Sequence, residues 1–287
     1  MQADLIQAVT NDGITLDGAF FAPKKPMPKE TLVDGALLIH GSAGSFYSPM
    51  NRIIAESVTS AGFPCAAFNT TSHDVAWGTP GRMFGTAYDI IDRCRIDLKA
   101  MLDWMASNGM KRVALFGHSL GGVKVVYYKA IEKDQRVASL ICCSPVRLSH
   151  NYFLRTEAAA EHQAILKTAN ELIEKGQPDA LMDVKFPGPQ LISARSYVDR
   201  HGPEEKYYLT RHISNITCPI LFTVGTKETA PHHRYCVEDV YSQVRERPYV
   251  RIKWIEGGDH VYTGKLSGLA TDVAEYIASL KPGHVYS

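Results

Sequence analysis

One stretch decides the fold: Val113-Ala114-Leu115-Phe116-Gly117-His118-Ser119-Leu120-Gly121, followed by an apolar helical pattern from Val123. The apolar residues before Gly117 predict a buried strand, and the spacing after Gly121 predicts a helix. A G-x-S-x-G sequence between a strand and a helix is typical of a turn so tight that neighbouring side chains must be absent. Such a turn exposes the serine hydroxyl at the N-terminus of the helix. Ser119 is therefore a candidate nucleophile.

Strand and helix patterns alternate on both sides of this turn. Apolar residues at helical spacing mark two helices, at residues 91–105 and 266–280. Alternation of this kind predicts an α/β fold with a mostly parallel, eight-stranded sheet, helices on both faces and sites at the carboxyl ends of the strands. The candidate strands are residues 4–10, 14–22, 35–40, 64–68, 113–116, 137–143, 219–224 and 250–255.

A long segment between two candidate strands interrupts the alternation. Residues 146–216 contain no convincing buried strand, whereas residues 158–175 within them are strongly helical. A loop of that length without secondary structure is improbable. We therefore predict a core formed by residues 1–145 and 217–287, and a mostly helical insertion, residues 146–216, that lies over the strand ends as a lid.

Composition limits the classes of partner. The chain has 287 residues, 45% of them hydrophobic and 21% charged, which is typical of a globular protein. Its 31 basic and 30 acidic residues leave a net charge of +1, too weak to attract nucleic acid or an anionic membrane. The sequence contains neither a signal peptide pattern nor an apolar run long enough for a membrane helix. We expect a cytoplasmic protein that acts on a small-molecule substrate, and we leave assembly into a homo-oligomer open.

Cysteine and histidine spacing gives no sign of a metal centre. The six cysteines are scattered and none forms a C-x-x-C pair, which favours buried thiols over disulfides or zinc ligands. We expect neither a metal nor another cofactor.

A glycine-containing turn follows the candidate strand at residues 35–40. It reads His40-Gly41-Ser42-Ala43-Gly44. A serine hydrolase needs two backbone N–H groups for the oxyanion of its tetrahedral intermediate, and Ser42 and Leu120 are our candidates. His40 and Gly41 are expected to line the substrate site, although a plain glycine turn with a structural histidine would give the same pattern.

A histidine follows the last candidate strand, in Gly257-Gly258-Asp259-His260. From there it can reach the serine over the edge of the sheet and accept its proton, so His260 is the predicted general base. His118, inside the turn, is expected to pack beside it and to point away from the site.

The triad also needs a carboxylate to orient the imidazole. Glu228 follows the strand at residues 219–224 and stands between Ser119 and His260 in the chain, in the order nucleophile, acid, histidine. Asp239 and Asp259 remain alternatives for this role.

At these residues the chain resembles the α/β-hydrolase superfamily over nearly its whole length. Residues 40–47 and 68–74, together with Lys124 and Tyr127-Tyr128, resemble the group that contains the fungal siderophore esterases. The resemblance implies an α/β-hydrolase fold and hydrolysis of an ester or amide in a moderately bulky substrate. Two departures are Thr71-Ser72, where an Arg-Gly pair is expected, and a glutamate in the position where an aspartate is commoner.

The motifs and the resemblance together predict a serine hydrolase that cleaves an ester, or an amide, of a small to medium-sized substrate through an acyl-enzyme intermediate, most simply a carboxylic ester hydrolase. One alternative is a C–C bond hydrolase acting on a diketone-like substrate, with His73 or Asp74 as an additional acid–base group. Another is a ligand-binding protein that has lost catalysis. Trp77 and Tyr197 are expected to contact the substrate, although aromatic residues of this kind also attach a lid to its base. The sequence leaves the substrate open.

Overall fold

The architecture is built on an eight-stranded sheet, as described by a computed structural model that covers residues 2–228 and 231–283. The strands are β1 (Asp4–Val9), β2 (Thr15–Phe21), β3 (Gly35–Ile39), β4 (Cys65–Phe68), β5 (Trp77–Thr79), β6 (Arg82–Phe84), β7 (Val113–His118), β8 (Val137–Cys143), β9 (Leu181–Val184), β10 (Gln190–Ser193), β11 (Ile220–Gly225) and β12 (Val250–Ile255).

The strand order of the large sheet is β1-β2-β4-β3-β7-β8-β11-β12. From β4 to β12 neighbouring strands are parallel, whereas β2 is antiparallel to both β1 and β4. The eight strands predicted from sequence are the eight strands of this sheet, so the prediction of a mostly parallel α/β sheet is confirmed. The hairpins β5–β6 and β9–β10 lie outside it.

Alternate residues of the central strands face two separate cores. In β3, Leu37 and Ile39 pack into one core, and Ala36 and Leu38 pack into the other. Successive side chains of a strand point to opposite faces, so a strand covered on both faces must be apolar throughout. This is why the run at β3 carries no polar residue.

Helices cover both faces of the sheet. Residues of α1 and α8 pack on one face, and residues of α2, α3 and α7 pack on the other. The helices are α1 (Pro49–Ser60), α2 (Arg93–Ser107), α3 (Leu120–Glu132), α4 (His150–Phe153), α5 (Ala159–Glu174), α6 (Ala194–His201), α7 (Pro231–Val244) and α8 (Leu266–Ser279). The predicted helices at residues 91–105, 158–175 and 266–280 correspond to α2, α5 and α8.

The segment between β8 and β11 has a small core of its own. Apolar side chains of α5, α6 and the hairpin β9–β10 form it, among them Leu166, Met182, Ile192 and Tyr197. The hairpin was not predicted, because in β9 buried and exposed residues alternate over only four positions, and a search for continuous buried runs overlooks such strands. The action of this segment as a lid stays a prediction.

Two further properties concern the whole fold. All six cysteines are buried free thiols. Within the described part of the chain, no helix combines the length and apolar character needed to cross a membrane.

Candidate active site

Ser119 lies in the tight turn between β7 and α3. Its backbone has φ 54° and ψ −120°, in a region that few non-glycine residues adopt. The turn brings chain segments so close that a Cβ atom at Gly117 would lie 2.3 Å from the carbonyl oxygen of Gly121. A Cβ atom at Gly121 would lie 2.5 Å from the carbonyl oxygen of His40. Both positions of the motif therefore require glycine, because any side chain would collide with the neighbouring backbone.

His260 lies in the loop between β12 and α8. Its Nε2 atom is 2.9 Å from the Oγ of Ser119, although 141 residues separate the two in the chain. This distance is suited to proton transfer from the serine hydroxyl to the imidazole.

The ring of His118 supports the loop that carries His260. Burial, together with the nearby imidazole of His260, lowers the pKa of His118 to about 4, so the ring is neutral near pH 7. Its Nε2 atom lies 2.7 Å from the carbonyl oxygen of His260, to which Nε2–H donates. His118 packs beside the turn as predicted, but it does not point away from the site: the centroids of its ring and the His260 ring are 5.1 Å apart.

Glu228, directly after β11, is the carboxylate next to His260. Its Oε2 atom is 3.1 Å from Nδ1 of the imidazole, and its Oε1 atom accepts hydrogen bonds from the N–H of Gly225 and the hydroxyl of Ser144. Burial alone would raise the pKa of this carboxyl group, but the hydrogen bonds from His260, Ser144 and Gly225 hold the pKa below its ordinary value. Glu228 is therefore ionised near pH 7.

The two alternative acids have other partners. Asp239 accepts hydrogen bonds from Arg147 Nε at 2.6 Å and from the Tyr208 hydroxyl at 3.1 Å. Asp259 accepts the backbone N–H groups of Val261 and Thr263 and so stabilises the turn after it. The geometry favours Glu228 for the acid.

A group of buried hydroxyls adjoins Glu228 and was not anticipated from sequence. The Tyr262 hydroxyl lies 2.7 Å from the Oγ of Ser144 and 2.7 Å from the Oγ1 of Thr223. Ser144 comes directly after β8, at the carboxyl end of a strand, where the other site residues also lie. Its position directly after a predicted strand is the feature of the sequence from which Ser144 could have been identified as a site residue.

The turn after β3 lies against the nucleophile. A Cβ atom at Gly41 would be 3.1 Å from the Cβ of Ser119, so the glycine permits this approach. Among the described residues, the N–H groups of Ser42 and Leu120 have no hydrogen-bond acceptor. Both are thus available to an oxyanion, and their role as oxyanion donors stays a prediction.

His40 holds this turn in place. Its Nε2 atom accepts the N–H of Thr70 at 3.1 Å, so the ring proton is on Nδ1 and is donated to the carbonyl oxygen of Gly41 at 2.8 Å. Burial lowers the pKa of His40 to about 4. Both ring nitrogens are engaged within the protein, which favours the structural interpretation of this histidine, although its ring borders a cavity at Ser119.

Two cavities meet at Ser119. The larger has a volume of about 670 Å³ and is lined by His260, His118, Met50 and Leu266 among others. The smaller has a volume of about 300 Å³ and is lined by Leu120 of the core and by Leu148, Gln190, Arg200 and His201 of the insertion. Ser42 and Ser119 line both, so a substrate can occupy the two cavities at once.

The expectation that Trp77 and Tyr197 contact the substrate needs correction. Trp77 stacks between His73 and Phe84, with ring centroids 4.8 and 4.7 Å away, and its Nε1–H donates to the carbonyl oxygen of Thr71. Tyr197 is fully buried in the core of the insertion. Neither residue lines the cavities at Ser119, because both aromatic rings pack against other side chains of the protein.

The pair His73 and Asp74 lies beside Trp77. Nδ1 of His73 is 2.7 Å from a carboxylate oxygen of Asp74, and neither side chain lines the two cavities. In the part of the chain that the structure describes, no group of three His, Cys, Asp or Glu side chains lies together as a metal ion would require.

Comparison with known proteins agrees with this architecture. The family described as alpha/beta hydrolase fold matches residues 37–177. No curated protein matches the sequence. The chain has the α/β-hydrolase fold, as its sheet order and the turn at Ser119 also indicate, and that prediction is confirmed.

Solved structures similar to this one come from bacteria, fungi and archaea. Est1E from Butyrivibrio proteoclasticus, solved with ferulic acid bound, has a TM-score of 0.66 and 18% identity over 95% of this chain and 97% of its own. The alpha/beta hydrolase GrgF from Penicillium sp. sh18 has a TM-score of 0.68 and 14% identity over 98% and 100% of the two chains. The Pyrococcus furiosus esterase Pf2001 has a TM-score of 0.62 and 17% identity over 96% and 90%. At such identities the similarity concerns the fold.

Proposed function

We propose that this chain is a serine hydrolase that cleaves a carboxylic ester, or the corresponding amide, of a small to medium-sized substrate through an acyl-enzyme intermediate. The observation that carries the proposal is the contiguous set Ser119, His260 and Glu228, joined by contacts of 2.9 and 3.1 Å at the carboxyl ends of three strands. Three segments distant in the chain have to meet for this geometry to arise.

Acylation begins when Oγ of Ser119 attacks the carbonyl carbon and Nε2 of His260 accepts the hydroxyl proton. Glu228 stabilises the imidazolium that forms and keeps the remaining proton on Nδ1. The oxyanion receives hydrogen bonds from the N–H groups of Ser42 and Leu120, and one such donor typically contributes about 3 kcal/mol.

The second half of the cycle reverses these proton transfers. His260 gives its proton to the leaving oxygen or nitrogen, and the bond between that atom and the acyl carbon breaks. Water then attacks the acyl-enzyme with His260 as the base, and the released acid restores the Ser119 hydroxyl.

Two observations support an ester or amide substrate, and a third supports the role of the insertion as a lid. Among similar structures, Est1E was solved with ferulic acid and the Pyrococcus furiosus protein is named an esterase. The segments that resemble the siderophore esterases favour a moderately bulky ester or amide. The insertion contributes Gln190, Arg200 and His201 to a cavity at Ser119, which supports its role as a lid over the substrate.

The C–C bond hydrolase is the weaker alternative. It would use the same triad with a further acid–base group near the substrate, for which His73 and Asp74 were the sequence candidates. Both lie outside the two cavities at Ser119, which favours ester or amide cleavage.

Labelling with a fluorophosphonate probe tests the proposal, because the probe reacts only with an activated serine. We expect one adduct per chain, on Ser119, and hydrolysis of short benzyl or ethyl esters. Ser119→Ala should abolish both, and circular dichroism should show that the variant is folded. The proposal would be refuted if the parent protein neither reacted with the probe nor cleaved any of these benzyl and ethyl esters.

A further inference from the structure

The two cavities at Ser119 differ in their access to the general base, His260. Which cavity holds the alcohol and which holds the acyl chain can be inferred from this difference, and the inference rests on the proposed function. His260 lines the larger cavity and is absent from the lining of the smaller one. A leaving group must lie within hydrogen-bond distance of Nε2 of His260 to receive its proton. The alcohol therefore occupies the larger cavity, and the acyl chain extends into the smaller one beside Leu120.

The smaller cavity carries a buried cation, Arg200 of α6. Its side chain is 5% exposed. Nη1 donates to the side-chain oxygen of Gln190 at 3.1 Å and Nη2 donates to the carbonyl oxygen of Thr86 at 3.0 Å, and both of these acceptors are uncharged. Nε is buried and has no hydrogen-bond acceptor within the described residues.

The carboxylate nearest to Arg200 is shared with a second cation. Asp89 Oδ2 is 3.6 Å from Nη2 of Arg200, beyond hydrogen-bond distance, but 2.9 Å from the Nζ of Lys124. All three side chains are buried. The nearby carboxylate of Asp97 is paired with Arg93 at 3.2 Å. Arg200 therefore lacks a hydrogen-bonded carboxylate of its own.

A buried guanidinium group without such a partner is unfavourable unless an anion completes its environment. Guanidinium groups bind carboxylates strongly because their planar N–H groups match the two carboxylate oxygens. The cavity between Ser119 and Arg200 can hold a chain of several carbon atoms, since its volume is about 300 Å³.

We propose that the smaller cavity binds acyl groups that end in a carboxylate, with Arg200 as the residue that recognises it. The substrates are then monoesters of dicarboxylic acids. Hydrolysis breaks the bond between the acyl carbon and the alcohol oxygen, water supplies the new oxygen, and the products are the dicarboxylate and the alcohol.

Matched pairs of benzyl esters test this selectivity in the parent enzyme. Monobenzyl succinate, glutarate and adipate are compared with the benzyl esters of 4-methylpentanoic, 5-methylhexanoic and 6-methylheptanoic acid, in which an isopropyl end replaces the carboxylate at equal size. Benzyl alcohol release, followed by chromatography, gives kcat/KM for each ester. For at least one chain length we expect the carboxylate ester to be preferred by about tenfold or more, as for a hydrogen bond to a charged group.

Three variants test whether Arg200 causes the preference for carboxylate esters. Arg200→Met should reduce the ratio of the two kcat/KM values to about one, because the cation is removed. Gln190→Glu should also reduce this ratio to about one while Arg200 is kept, because it places a carboxylate against Nη1 of Arg200. This variant tests the role of Arg200 if Arg200→Met does not fold. Arg195→Met is the matched control, since Arg195 is a half-exposed cation of the same helix that pairs with Asp179. In this control the ratio should stay at the parental value.

The results separate this inference from the proposed function. A parent that cleaves the neutral esters but prefers no carboxylate ester contradicts the inference and leaves the serine hydrolase proposal intact. So does a preference that survives in both Arg200→Met and Gln190→Glu. If the parent cleaves neither series, the proposed function fails, and calorimetry with Ser119→Ala then decides the inference: monobenzyl glutarate should bind more tightly than benzyl 5-methylhexanoate, and equal affinities would overturn it.

Discussion

Glu228 binds His260 with one carboxylate oxygen and the protein framework with the other. Oε2 lies 3.1 Å from Nδ1 of His260, while Oε1 accepts the Gly225 N–H and the Ser144 hydroxyl. The carboxylate is fixed in position and ionised, and it therefore holds the imidazole proton on Nδ1. Nε2 is left unprotonated and faces Ser119.

Glu228→Gln should lower kcat by about 10⁴-fold with little change in substrate binding, because the amide keeps the shape of the side chain but favours the wrong imidazole tautomer. Steady-state kinetics on a benzyl ester measure this. Asp239→Asn and Asp259→Asn are the matched controls and should retain most of the parental kcat. Near-parental turnover of Glu228→Gln, with a large loss in one of the two controls, would assign the acid to that aspartate.

His260→Ala should reduce kcat about as much as Ser119→Ala, since triad residues act as a unit and their effects do not add. His118→Ala should be much milder. It removes one hydrogen bond to the His260 loop and should lower the free energy of unfolding by about 1–2 kcal/mol. Kinetics and urea unfolding of both variants check this. If His118→Ala inactivated the enzyme and His260→Ala did not, the base would be His118.

The stability of the protein should decrease as the pH falls from 7 to 5, because His40 is buried as a neutral ring. The pKa of His40 is lowered from 6.5 to about 4. Between these values the unfolded chain takes up a proton that the folded chain excludes, so the free energy of unfolding falls with decreasing pH. For this one histidine the loss between pH 7 and pH 5 is about 2 kcal/mol.

Urea unfolding of the parent and of His40→Gln at the two pH values isolates this contribution. The variant should lose about 2 kcal/mol less on acidification, since glutamine does not titrate there. His118 and His162, whose pKa values burial also lowers to about 4, are common to both proteins and cancel in the comparison. Equal losses in the two proteins would contradict this, because they would show that His40 takes up a proton at pH 5 as readily in the folded protein as in the unfolded chain.

Treatment with EDTA should leave the rate of ester hydrolysis unchanged. The sequence has no histidine or cysteine spacing typical of a metal site, and Ser119, His260 and Glu228 supply nucleophile, base and acid without a Lewis acid. The assay compares initial rates before and after dialysis against the chelator. A loss of activity that a divalent cation restores would require a metal in the mechanism.

The strands β3, β4, β7, β8 and β11 were recognisable in the sequence because strands buried on both faces are almost entirely apolar. The partly exposed strands β1, β2 and β12 were recognisable from the turn at residues 11–13 and from alternating apolar residues. β3 and β7 are clear examples, since each carries an unbroken apolar run next to a glycine-containing turn. The strands β9 and β10 were not recognisable, because they are short and half-exposed, and the helices α1 and α7 were not singled out. Tertiary packing decides such elements.

The sequence by itself determined the sheet and the tight turn that carries Ser119, the candidate nucleophile. Both depend on local spacing: the apolar runs have to fill a core, and Gly117 and Gly121 have to flank Ser119 because a side chain at either would collide with a neighbouring backbone. The candidates for base and oxyanion donors followed from their positions after strands, where parallel sheets place their sites.

Only the tertiary structure decided how the other side chains are used. Spacing along the chain does not determine contacts between distant segments, so it could not exclude Asp239 and Asp259 as alternatives to Glu228, or find Ser144 behind Glu228. For the same reason it assigned Trp77 and Tyr197 to the substrate, whereas packing uses both rings elsewhere. Arg200 was not singled out from the sequence. Its burial beside the cavity at Ser119 arises from packing between the insertion and the core, which are segments far apart in the chain.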